Sequence, residues 1–286
     1  MRWRGEQESS NVEDRRGGGG ISGRHIGVGG VVLGLVALYF TKDPSLLLQS
    51  LLGGTETAPT QQSSQPYQES EAEADNRHLV QVTLADTERA WDGIFAQNGK
   101  QYEHPTVVLF SNAVESACGQ AQSAMGPFYC PGDHKVYIDL AFYDELQHRF
   151  GAPGEFARAY VIAHEVGHHV QNLLGLSAKV QHLQETSNES KANALSVRLE
   201  LQADCYAGVW AHSTEQSRHF LESGDVEAGL NAASAIGDDR LQQETQGRVM
   251  PDSFTHGSSA QRVRWFKRGI DGGDPTQCDT FKAQEL

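Results

Sequence analysis

The chain has 286 residues, 37 of them acidic and 23 basic, for a formal net charge of −14. That length accommodates one sizeable domain with appendages. An acidic balance of this size lacks the basic footprint that nucleic acid requires, so no nucleic-acid partner is expected and the charge is read as a solubility device.

Residues 1–25 are polar, of mixed charge and glycine-rich at 17–20, and read as a disordered cytoplasmic tail. Residues 26–42 follow as a transmembrane signal-anchor helix. Its uncharged part, IGVGGVVLGLVALYF at 26–40, falls short of the roughly 20 residues of a spanning helix. Arg24 and Lys42 can extend it by reaching to the interfaces. Arg2, Arg4, Arg15, Arg16 and Arg24 precede the run, which puts the N-terminus in the cytoplasm and the rest of the chain outside the cytoplasmic membrane as a single-pass protein. A cleaved signal peptide competes with this reading, but the preceding region is long and no small-x-small site follows the apolar run. Residues 43–76, rich in Gly, Ser, Thr, Gln, Pro and Glu, read as a flexible linker. The folded domain is then expected over residues 77–286.

Within that domain, helical spacing of Leu79, Val80, Leu84, Trp91 and Ile94 predicts a helix over residues 79–95. TVVLF at 106–110 reads as a buried strand, and KVYIDL at 135–140 as a second strand with an exposed edge. Helices are predicted over 141–150, 156–171, 193–212, 225–236 and 259–268. Asp225 is placed to cap the fourth of these, and Ser258 and Gln261 have capping-box spacing before the last. The fold class is a mostly helical α+β domain with a small sheet. Four cysteines allow three pairings; Cys118–Cys130 with Cys205–Cys278 is the most economical and suits an oxidising compartment.

His164-Glu165-Val166-Gly167-His168 lies inside the helix predicted over 156–171. Four residues advance an α-helix by about 400°, so the two imidazoles share one face a turn apart and can hold one Zn²⁺. Glu165 beside them can activate a water. A third ligand is needed, because an amphipathic helix with surface histidines explains the pentapeptide equally well. Glu200 and Asp204 are themselves i and i+4 on the next long helix, flanked by Leu201, Ala203 and Cys205. Glu200 is the expected third ligand, and Asp204 is expected to accept the free N–H of a ligating histidine. His182 and His212 lack such a partner, and His169 lies about 100° around the helix from His168. Gly167 is expected to permit close approach of another element. His256 is the leading candidate for a donor to a developing oxyanion, with Tyr206 behind it.

The pair HEVGHHVQ and ELQADCYAGVWAH resembles the gluzincin class of metallopeptidases. Together with MRWRGEQESSNVEDRR, NAASAIGDDRLQ and DSFTHGSSAQRVRWFKRG, these stretches resemble the bacterial neutral zinc metallopeptidase family of YpfJ type. The resemblance implies a zincin-like, membrane-anchored peptidase acting on peptide or protein substrates, with His164, His168 and Glu200 as ligands of one Zn²⁺ and Glu165 as base. The competing reading is an anchored scaffold or chaperone-like module that keeps zinc and cleaves nothing.

Overall fold

Helix α1 (Glu71–Gln97) opens on a capping box in which Ser70 accepts the backbone N–H of Glu73 and the Glu73 side chain accepts that of Ser70. It therefore starts inside the stretch read as linker, and the folded unit runs from Glu69 to Leu286 together with Met1–Arg15. This computed structural model describes residues 1–17 and 67–286. The anchor at 26–42, and the linker up to residue 66, lie outside the described residues. No helix among the described residues is long and apolar enough to cross a membrane.

The first fifteen residues correct the expectation of a disordered tail. Strand β1 (Val12–Asp14) pairs in parallel with β2 (Thr106–Phe110), Val12 opposite Val107. Met1 and Trp3 are buried among Leu79, Phe156 and Phe220, and burying one such aromatic stabilises by about 2–3 kcal/mol. Arg4 pairs with Asp75 and Glu155, and Lys135 with Glu13. Average composition hides this: three apolar residues and a few matched charges suffice to dock a polar segment onto a surface that complements it.

After β2 comes the hairpin β3 (Ala113–Ser116) and β4 (Gly119–Gln122), then β5 (Phe128–Cys130) and β6 (Lys135–Asp139). The main sheet has the order β1-β2-β6-β5, with β2 and β6 parallel and β5 antiparallel to β6. KVYIDL is thus an inner strand rather than an edge; the edges are β1 and β5. Its run of buried positions, Val136 to Asp139, is what an inner strand covered on both faces requires. Helices α2 (Phe142–His148), α3 (Glu155–Leu173), α4 (Leu176–Glu185), α5 (Glu189–Arg218), α6 (Asp225–Ala235), α7 (Asp238–Gln246) and α8 (Ser259–Gly272) complete the unit. The Ser258–Gln261 capping box forms as expected. The cap of α6 is Gly224, while Asp225 accepts the N–H of Glu222 and pairs with the Met1 amine. Gly237 is the N-cap of α7, and Asp238 and Asp239 are its first two residues.

The core has two parts. Tyr160, Phe156, Trp210, Phe220 and Phe266 pack between helices, while Val107, Val136 and Ile138 of the sheet pack on Leu84, Ile162, Val166 and Val209. Both expected disulfides are formed, Cys118–Cys130 and Cys205–Cys278. The second ties α5 to the C-terminal segment.

Candidate metal centre

Helices α3 and α5 carry the site, and their small residues decide how close they come. A Cβ on Gly167 would lie 3.0 Å from the carbonyl oxygen of Ala203 and 3.1 Å from its Cα. This is the close approach expected of Gly167, and it sets the histidine face of α3 against the carboxylate face of α5. There, His164 Nε2 lies 3.2 Å from Glu200 Oε2, His168 Nε2 lies 3.4 Å from Glu200 Oε1, and the two Nε2 atoms are 3.2 Å apart. Ligand atoms of these three residues fall within 4.8 Å of one another, the one such group of three or more His, Cys, Asp or Glu among the described residues. Two imidazole nitrogens and one carboxylate are the donor set of a catalytic zinc site that keeps a position open, so the residues present fit the ion. His182, His212 and His169 stand outside the group.

Burial opposes charge on all three. For Glu200 that cost is outweighed by the facing His168 and His164, which hold its carboxyl well below the usual range. For His164 it is outweighed by Asp204 and Glu200, which push the imidazole up to about 10. Clustered acceptors and paired imidazoles of this kind form a site that favours a cation.

Asp204, fully buried, accepts from His164 Nδ1 at 2.9 Å, as expected of it. What the sequence reading missed is the group behind it. Arg262 on α8 donates Nε to Asp204 Oδ2 at 2.8 Å and Nη2 to Oδ1 at 2.9 Å, and the Tyr160 hydroxyl also donates to Oδ1. Burial opposes the Asp204 charge, but Arg262 overrides it and holds the carboxyl at about 2. A carboxylate kept ionised in this way holds the Nδ1–H of His164, so that Nε2 is the nitrogen that would give up its proton to a metal. Tyr160 had a sequence signal, standing one helical turn before His164. Arg262 had none. Its α8 reaches α5 because a Cβ on Gly269 would fall 2.0 Å from the Cys205 carbonyl oxygen.

The cluster opens onto a cavity of about 650 Å³ whose lining includes Glu165, Phe128, Tyr129, Arg149, His256 and Arg262. Asp238 holds the loop that carries His256: its Oδ2 accepts the N–H groups of Thr255, His256 and Gly257, and its Oδ1 faces His256 Nδ1 at 3.2 Å. That hydrogen bond raises the His256 pKa. Tyr206 does not line the cavity; it packs edge-on against Trp91 in the core. His169 is buried outside the cluster, held between the Tyr129 hydroxyl and the Glu103 carbonyl, and burial lowers its pKa to about 4.

The chain is 52% identical to the uncharacterised protein YpfJ of Escherichia coli (strain K12), covering 98% of this chain and 99% of that protein. It is 44% identical to an uncharacterised protein of Mycobacterium tuberculosis (strain ATCC 25618 / H37Rv) over 74% of each chain. No solved structure matches it. A family described as "Putative neutral zinc metallopeptidase" matches residues 1–281, and with this span and these identities the chain belongs to that family.

Proposed function

We propose that the chain is a zinc-dependent peptidase that hydrolyses peptide bonds at the His164–His168–Glu200 site. The observation that carries this reading is the carboxylate of Glu165, beside the three-donor cluster on the wall of a cavity. A zinc held only for structure has no use for it. Zinc bound there supplies Lewis acidity to a water and to the scissile carbonyl. Glu165 takes a proton from the attacking water and passes it to the leaving amine. His256, oriented by Asp238, is the proposed donor to the developing oxyanion. Strand β5 is a sheet edge whose Tyr129 lines the cavity and is tied to α3 through His169 and Asn172, so an extended peptide can add to it there.

Zinc-loaded full-length protein should degrade an unfolded protein substrate, lose that activity to a chelator and regain it with zinc. Glu165→Gln should bind zinc normally and lose about 10²–10⁴-fold in cleavage rate. Undiminished cleavage by that variant refutes the assigned base. A scaffold or chaperone-like module that cleaves nothing would show no zinc-dependent proteolysis in the wild-type protein.

The apolar run at 26–40 supports attachment to a membrane, and the two disulfides support an oxidising compartment for the folded unit. The pairing of β1 with β2 supports a different topology from the one expected. A single crossing between residues 26 and 42 would separate Val12 from its partner Val107. We therefore place residues 1–15 on the same, non-cytoplasmic side as the domain, in place of a cytoplasmic tail.

A further inference from the structure

The two histidines are backed in different ways. Behind His164 stands the ionised Asp204 with its arginine; behind His168 stand two neutral amides. Gln171, fully buried one turn on from His168, accepts from His168 Nδ1 through Oε1 at 2.9 Å. Its amide nitrogen donates to the Leu199 carbonyl at 2.7 Å and to Gln202 Oε1 at 3.1 Å. Gln202, also buried, donates in turn to the Cys278 carbonyl at 2.9 Å, and Cys278 is bridged to Cys205.

The direction of every bond in this chain is forced. The Cys278 carbonyl can only accept, so the Gln202 amide nitrogen faces it and Gln202 Oε1 faces Gln171. The Leu199 carbonyl likewise fixes the Gln171 amide nitrogen, which leaves Gln171 Oε1 for His168. A flipped amide at Gln171 would set oxygen against two oxygens. A carbonyl oxygen at 2.9 Å from His168 Nδ1 demands a proton on that nitrogen, so in the neutral imidazole Nε2 carries the lone pair that faces the cluster. The same amide grips the backbone of Leu199, the residue before Glu200, and so sets one ligand against another.

We infer that Gln171 and Gln202 are positioning residues that lock the Nδ1–H tautomer of His168 and its placement against Glu200, with the Cys205–Cys278 bridge anchoring the far end. The inference rests on metal binding at this site, and the test separates the two. The affinity of the full-length protein for zinc would be measured by competition with a chromophoric chelator. Gln171→Leu should bind zinc about 10–100-fold more weakly than wild type, with Gln202→Leu weakened to a lesser degree. In the zinc-loaded wild type, the nitrogen NMR spectrum of His168 should show a protonated Nδ1 and a metal-bound Nε2. This second measurement needs no variant, and so holds if Gln171→Leu fails to fold. A Gln171→Leu protein with wild-type zinc affinity, or His168 bound through Nδ1, overturns the inference while leaving the metal site intact. A wild type that binds no zinc overturns the reading of the site itself.

Discussion

Asp204 and Arg262 form a buried pair of a kind that does little for stability as a whole yet is costly to break. Both are almost fully buried, so removing the arginine leaves a buried carboxylate with only His164 and Tyr160 to offset its charge. Arg262→Met should destabilise by about 3–5 kcal/mol at neutral pH. The pH dependence follows from the depressed Asp204 pKa of about 2. Its contribution is present above the unfolded value near 4 and is lost as pH falls from there toward 2, by about 2 kcal/mol. Chemical denaturation of wild type and variant across that window is the measurement. Equal acid slopes in the two proteins would show that Arg262 does not hold the carboxylate down. Side chains at i and i+4 could be read from the sequence because a helix alone fixes their relation, which covers His164 with His168 and Glu200 with Asp204. Arg262 lies 58 residues from Asp204, and no local pattern relates them.

At the scale of elements, the crossing of α3 on α5 makes the site, and Gly167 sets its spacing. Gly167→Val, whose Cβ would meet Ala203 at 3.0–3.3 Å, should force the helices apart. Overpacking of this sort costs about 1–3 kcal/mol, and zinc affinity should fall with it because the ligands come from both helices. Thermal melting and chelator competition would show the two losses together; a variant with unchanged zinc affinity would mean that the ligands do not depend on this crossing. The long helices were legible because apolar spacing accumulates over several turns. Strands β1, β3, β4 and β5, of three or four residues each, are too short to show a period, and they form because partners are presented to them. For the same reason KVYIDL reads as an edge in isolation, and its place between β2 and β5 depends on strands that the pattern does not reveal.

For the whole molecule, the docking of residues 1–15 has the widest consequence. With β1 paired to β2 and Trp3 buried in the helical core, this segment and the domain must share a compartment. Single cysteines placed at the exposed Ser10 and Gln284 should react equally with a membrane-impermeant maleimide in intact cells. Labelling of the second alone would restore the cytoplasmic tail and mean that β1 does not pair with β2 in cells.

The sequence by itself determined the donor set: two imidazoles and two carboxylates at helical spacing, a third carboxylate beside them, and four cysteines with only three possible pairings. These are relations within one element, or between residue types with few possible partners, and backbone geometry settles them. Only the tertiary structure decided what stands behind each ligand, namely Arg262 and Tyr160 on one histidine and the glutamine relay on the other. It also decided that a polar N-terminal segment belongs to the fold. Buried polar groups must find partners wherever packing delivers them, and packing brings together residues that sequence distance keeps apart.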